Sequence, residues 1–283
     1  MNEHDFVAGM LEQSARFYGQ DDLEKIKTVR VAHAGFGGVG ALILELLARW
    51  GVKRFRLLDM DKYELSNLNR QVFATSKTIG QFKTEAAAKR IKEINPYVDV
   101  EVQKCERMTN HNVVSFIQDA DVIINGIDFP SGQLPLHYHA QKLKIPVINP
   151  HCMQVTKATI EVFDYRREDQ QSIDAPTKNP WVNHLMHKYL KLFQFNEDSL
   201  SDESLEKADK RFCSKRGVTL NYVTNLAACL AVAETIKLLT GKGKQVLYPS
   251  QIMIDPQRLS FNIRSVYSLE RYINFMKERF LKK

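Results

Sequence analysis

Cysteine is scarce in this sequence. Its four residues, at 105, 152, 213 and 229 of 283, include no Cys-x-x-Cys pair. That scatter excludes a disulfide framework and leaves no pair of thiolates spaced to grip a zinc ion. No apolar run approaches the ~18 residues of a membrane-spanning helix, so no span is expected. The opening Met1-Asn2-Glu3-His4-Asp5 has none of the features of a signal peptide, and with unpaired cysteines it points to the cytoplasm. Internal repeats and low-complexity tracts are absent. Charge of one sign is not concentrated either: 40 Lys and Arg against 33 Asp and Glu leave a net +7 that is mixed along the chain. The aromatics do not interleave with a basic strip, which argues against nucleic-acid binding. An acidic peptide is the more economical partner for such a surface.

What is present is a hydrophobic content of 44%, ample for a core. Apolar, β-branched segments near positions 29, 54, 98, 121 and 146 alternate with helical patterns. This predicts an α/β fold with a Rossmann-like, mostly parallel sheet flanked by helices. Tyr222–Leu239 reads as a long Ala/Leu-rich helix stopped by Gly241, its Leu226, Leu230, Ala233 and Leu238 suiting a core or a dimer face. Short strands near 251 and 260 extend the sheet, partly antiparallel, and a helix over Ser268–Leu281 closes the chain. Composition turns polar from Arg166. Within 166–212, Trp181–Phe195 is an amphipathic helix pattern and Ser199–Lys210 is charged and expected to be solvated. The expected organisation is one domain, 1–283: a helical arm (1–28), a nucleotide-binding core (29–165), a polar insertion (166–212), and a C-terminal part (213–283). The insertion reads as a lid or clamp, or as a crossover loop without a role.

The first strand, Val29–Ala34, runs into Gly35-Phe36-Gly37-Gly38-Val39-Gly40, a G-x-G-x-x-G turn. Gly35 permits the tight turn, Gly37 and Gly38 admit a phosphate to the backbone, and Gly40 lets the next helix pack on its strand. That helix carries Val39, Leu42, Ile43, Leu46 and Leu47 on one stripe, and its amino end offers N–H groups to an anion. Asp59, ending the second strand (Arg54–Leu58), can accept hydrogen bonds from a ribose. These features alone suit a dinucleotide. The chain then adds Asp61, Ser66-Asn67-Leu68-Asn69-Arg70-Gln71 and Gly80-Gln81-Phe82-Lys83. Arg70 and Lys83 can converge on phosphates as a planar fork and a point charge, with Asn67 and Gln71 as neutral donors and acceptors. Singly, each would be an ordinary loop residue.

This ordered set, with Ile94-Asn95-Pro96 and Gly126-Ile127-Asp128 after a strand at Asp121–Asn125, resembles the ThiF/MoeB/E1-like adenylating family. The resemblance covers residues 10–165 well and 217–262 more loosely. It implies attack of a substrate carboxylate on the α-phosphorus of ATP, with Asp128 holding Mg²⁺. It also implies a homodimer in which an N-terminal arginine reaches the partner's site. Arg16 resembles that arginine, although Gly19 replaces a second one. A carboxylate is already ionised at neutral pH, so no general base is required.

The departures from the family bear on the substrate. Many members carry two Cys-x-x-Cys pairs for structural zinc, and this chain has none, so no structural zinc is expected. His184, His187 and Cys213 could imitate a site but read more simply as surface residues. Some members use a transfer cysteine. Cys152, just past the strand Pro146–Asn149, and Cys213, in a basic setting, are the positions to weigh. Cys152 reads as a buried structural residue, and Cys105 and Cys229 as core or near-core. The zinc-less form resembles family members that tailor ribosomally made peptides, such as the enzymes that make microcin C7 and pantocin A. Activation of a ubiquitin-like sulfur-carrier protein is the alternative. An NAD-dependent oxidoreductase would leave Arg70, Lys83 and Asp128 without a task, and a non-catalytic partner subunit would be expected to lose them.

Overall fold

The computed structural model describes residues 2–103, 106–153, 155–173, 200–212 and 218–266. Two helices, α1 (Glu3–Ala15) and α2 (Gln20–Thr28), precede the first strand. Asn2 caps α1 by accepting the Asp5 N–H at 2.9 Å, which satisfies one of the free donors of a helix start. Val7 and Leu11 of α1 and Leu23 and Ile26 of α2 join the main core, so the arm is built into the body of the protein.

The chain then alternates strands and helices: β1 (Arg30–Ala34), α3 (Gly40–Arg49), β2 (Arg54–Leu58), α4 (Lys83–Ile94), β3 (Asp99–Gln103), α5 (Val113–Ile117), β4 (Val122–Asn125), α6 (Pro130–Lys142) and β5 (Val147–Met153). Strand β6 (Lys157–Phe163) follows, and beyond it come α7 (Asp202–Phe212), α8 (Asn221–Thr240), β7 (Ser250–Asp255) and β8 (Ser260–Ser265). All eight strands lie in one sheet, ordered β3-β2-β1-β4-β5-β6-β7-β8. The first five pair in parallel and the last three join antiparallel. This is the expected Rossmann-like sheet with an antiparallel C-terminal extension. The central strand β4 is buried throughout, as a parallel strand covered on both faces should be, whereas the edge strand β3 carries exposed Asp99 and Glu101.

Helix α8 needs a correction to the sequence expectation. By length and composition it could cross a membrane, with 56% of its most apolar window buried. Val223, Ala227, Ala228, Ala231, Val232 and Ile236 all belong to the main core. Its small residues let it lie close to the sheet, which gives a core helix. Cys229 on its outer side is exposed rather than near the core.

Ser199–Lys210 also differs from expectation. Asp202, Glu203, Glu206 and Lys207 of α7 face water, but Asp209 accepts from the Ser131 N–H and hydroxyl at the start of α6, and Leu200 and Leu205, each 4% exposed, pack with Leu134 and Tyr138 of α6. The Trp181–Phe195 helix pattern, the Ser268–Leu281 helix, His184, His187, Cys105 and Cys213 lie outside the described residues.

His33 is fully buried in β1 with neither ring nitrogen partnered. Burial alone pushes its pKa from 6.5 down to about 3. The unfolded chain binds a proton below pH 6.5 and the folded chain does not, so His33 lowers stability progressively as pH falls through that window. Between pH 7 and 5 the loss is about 2 kcal/mol at ~1.4 kcal/mol per unit. Urea unfolding of His33→Val at both pH values should show a loss smaller by that amount. Equal losses in variant and wild type would contradict the assignment.

Candidate active site

Strand order reverses between β1 and β4. In an open parallel sheet, the crevice outside the strand ends at such a reversal is where ligands bind. Here the two chain segments leaving the strands nearly touch. Gly126, after β4, donates its N–H to Ala34 O at 2.7 Å. Gly35, after β1, has φ +87°, and a Cβ on it would stand 2.5 Å from Gly126 O. A Cβ on Gly40 would overlap Gly35 O and sit 3.1 Å from His33 Nε2. Gly38 faces Thr224 in the first turn of α8, whose Cγ2 lies 2.9 Å from the added Cβ, and Arg70 Cγ lies 3.4 Å from it. Gly37 is different: its nearest neighbour, Gln71 Nε2, is 4.0 Å from the Cβ position. Among the described residues, the turn opens onto free space only at Gly37. The other three glycines are demanded by backbone and side chains already present.

Asp59 is 8% exposed and built into this turn. Its Oδ2 accepts the Phe36 N–H at 2.6 Å and its Oδ1 the Asp61 N–H at 2.8 Å. Burial pushes its carboxyl above the usual range, against the pull of the nearby Lys83 ammonium. The sequence suggested contact with a ribose. In the structure Asp59 also ties the glycine turn to the end of β2, a task that spacing does not reveal.

Lys83 is the first residue of α4 and only 5% exposed. Its Nζ lies 2.9 Å from Asp61 Oδ2 and 6.0 Å from the ring centre of Tyr63. A buried ammonium needs a counter-charge, and Asp61 supplies it. Tyr63 was not singled out from sequence. Its ring is almost fully buried, its hydroxyl has no partner, and burial pushes its pKa up.

Asn67 builds the loop between them. Its side-chain oxygen accepts the Glu64 N–H at 3.1 Å, and its carbonyl accepts the N–H groups of Arg70 and Gln71. The Arg70 guanidinium donates to Ser66 O at 2.8 Å and Asn69 Oδ1 at 3.0 Å. Gln71 is buried with its Oε1 unpartnered, as is Oδ1 of Asn225 next to Thr224. Asp128 is exposed two residues past Gly126, without a partner among the described residues. No cluster of three metal-binding side chains occurs among the described residues. A lone carboxylate still suits Mg²⁺, which takes one or two carboxylates and completes its shell with phosphates and water.

The structure therefore brings together Gly35, Gly37, Gly38, Gly40, Asp59, Asp61, Asn67, Arg70, Gln71 and Lys83, with Asp128 on the adjoining strand end. It does not bring in Arg16, which ends α1 and pairs with Glu12 at 3.3 Å. Its neighbour Tyr18 packs on Trp50 at the far end of α3, about 15 Å along that helix from the glycine turn. Cys152 sits on β5 against the core, and burial pushes its thiol up to about 11, so it is not a thiolate at neutral pH.

Comparison with known proteins places the chain in a family. The model of the ThiF family matches residues 11–271. The tRNA threonylcarbamoyladenosine dehydratase of Haemophilus influenzae is 34% identical over 134 residues, 47% of this chain and 51% of that protein. The chain thus matches about half the length of such curated relatives. The molybdopterin-synthase adenylyltransferase of the same organism is 27% identical over 90% of both chains. The Escherichia coli enzyme MccB, solved with ATP, superposes with a TM-score of 0.68 at 18% identity, over 86% of this chain and 66% of MccB. At that identity the likeness to MccB is one of fold.

The two kinds of glycine can be separated by calorimetric melting and urea unfolding. Gly40→Ala should lose about 1–3 kcal/mol through overpacking, while Gly37→Ala should stay within about 0.5 kcal/mol of wild type. The reverse order would refute the packing described here.

Proposed function

Taking as premise that the chain belongs to the ThiF family, we propose that it is an ATP-dependent adenylyltransferase. It activates a carboxylate, and the preferred substrate is a ribosomally made peptide. The observation that carries this reading is the cationic rim of the glycine turn. Arg70 packs beside Gly38, and Lys83 is held at the crevice by Asp61. A dinucleotide enzyme has no need of them. In the reaction a carboxylate oxygen bonds to the α-phosphorus, the bond to the β-phosphate oxygen breaks, and pyrophosphate leaves. No proton moves, so the protein's work is positioning and charge neutralisation. Gly35, Gly37 and Gly38 admit the phosphates; Arg70 and Lys83 neutralise them; Asp59 and the unpartnered side-chain oxygens of Gln71 and Asn225 can accept hydrogen bonds from the hydroxyl or amino groups of the nucleoside. Asp128 would hold Mg²⁺, whose charge would offset that of the β- and γ-phosphates.

Arg16 lies away from its own chain's site, which favours a homodimer with each Arg16 serving the partner. The net charge of +7 favours an acidic partner, and the likeness of fold to MccB, solved with N-formylated MccA, favours a peptide. The second reading, activation of a sulfur-carrier protein, is favoured by the near full-length match to a molybdopterin-synthase adenylyltransferase. ATP as a substrate puts the work in the cytoplasm.

ATP–pyrophosphate exchange tests the proposal. An acidic peptide should stimulate it and a diglycine-tailed carrier protein should not; the opposite would select the second reading. Lys83→Ala and Arg70→Ala should each lower kcat/KM about 10²–10³-fold, and NADH should not bind. Arg16→Ala and Lys83→Ala subunits, mixed, should regain part of the activity each lacks alone, since one site per mixed dimer is intact. Absence of any regain would exclude a shared site.

A further inference from the structure

Beneath the turn that carries Asp128 runs a buried chain of polar side chains that neither the resemblance nor the comparisons assign. Ile127 is 5% exposed, and both its peptide groups are held by side chains. Its N–H donates to Asn125 Oδ1 at 3.2 Å, and its carbonyl accepts from Gln133 Nε2. Asn125 Nδ2 donates to Asn149 Oδ1 at 2.9 Å, across from β4 to β5. Asn149 Nδ2 meets His137 Nε2 at 2.9 Å, and His137 Nδ1 meets the Tyr165 hydroxyl at 2.9 Å. Asn125 and Asn149 are fully buried, His137 is 1% exposed and Tyr165 5%.

The direction of every bond follows from one fixed donor. A backbone N–H can only donate, so Asn125 must present its oxygen to Ile127 and its amide to Asn149. Asn149 must then accept with its oxygen and donate with its amide. His137 Nε2 must accept, and the ring proton stays on Nδ1, donated to Tyr165. Reversing any link puts two donors face to face and ends at the Ile127 N–H. A protonated His137 would do the same. Burial opposes that charge as well, lowering the pKa to about 4.

We propose that Asn125, Asn149 and His137 form a positioning relay that locks the 126–128 turn, and with it Asp128, in one conformation. Mg·ATP affinity depends on that lock, a consequence resting on the role given to Asp128 above. The relay residues touch no substrate; they act through the Ile127 peptide.

The test uses the full chain. In wild type at pH 7, ¹⁵N NMR should show His137 as the Nδ1–H tautomer. In His137→Leu, Asn149 loses its acceptor; Ile127 amide exchange should quicken about tenfold and Mg·ATP binding, followed by calorimetry, should weaken about tenfold. His137→Gln keeps an acceptor for Asn149 and a donor for Tyr165, and should stay within about threefold of wild type on both measures. An Nε2–H tautomer in wild type would overturn the relay even if His137→Leu failed to fold. Unchanged Ile127 exchange in folded His137→Leu would also overturn it, as would His137→Gln behaving like His137→Leu. Wild-type protein that binds no ATP would instead overturn the adenylation reading, because exchange and tautomer are read without nucleotide.

Discussion

Two backbones that meet without side chains between them set the rest of this molecule. The ends of β1 and β4 approach so closely that Gly35 and Gly126 are in mutual contact, and Gly40 closes over Gly35 from the start of α3. Close approach of this kind is open only to residues without a Cβ. It aims the first N–H groups of α3 at the crevice and leaves no room for the turn to move on its own. Asp59 then adds a strut from β2 by accepting the Phe36 N–H, and Thr224 of α8 packs on Gly38. Three strands and two helices thus converge on six residues, and among the described residues the face beside Gly37 is the one left free.

Electrostatics is arranged on that frame before any ligand arrives. Lys83 is buried against Asp61, and the Arg70 guanidinium is held by Ser66 O and Asn69 Oδ1. Neither cation has to be ordered when an anion enters, which reduces the entropic cost of binding and is the condition under which charge stabilises a transition state efficiently. Asp61 is half exposed while Lys83 is not. The pair can therefore exchange part of its contact for a phosphate without exposing the ammonium to water.

The parallel half of the fold was legible because its signals are local: β-branched strands, a glycine turn, an i, i+3, i+4 stripe on α3. The same holds for Arg70, Lys83 and Asp61, whose gathering rests on one βα unit and the loop after it. What was not legible depends on non-local packing. Nothing in sequence marks Tyr63 as the ring beneath Lys83, or Asp59 as the acceptor of the Phe36 N–H. Charge outnumbers apolar residues over Ser199–Lys210, so the two leucines that dock on α6 are hidden in the average. Cys229 sits in an apolar helix yet points outward, as does Ala233, because α8 buries the side that carries Ala227, Ala228 and Ala231, not its whole circumference.

The relay under Asp128 follows from strand alternation. On the α8 side of the sheet beyond β4, Ile148, Ile160, Val162 and Ile252 form an apolar face. Successive residues point to opposite faces, so Asn149, Thr159, Glu161 and Gln251 share the other one, and all four are buried. Polar groups removed from water must be met by polar groups. The helix covering Asn149 on that side therefore has to bring one, and α6 brings His137. Once that bond is required, α6 cannot rotate about its axis or slide along the sheet without breaking it. The turn that leads from β4 into α6 is Asn125 to Phe129, so it inherits the same constraint from both ends. Asp128, the carboxylate proposed above to serve the triphosphate, is thus anchored through a face of the sheet that carries no part of the glycine motif.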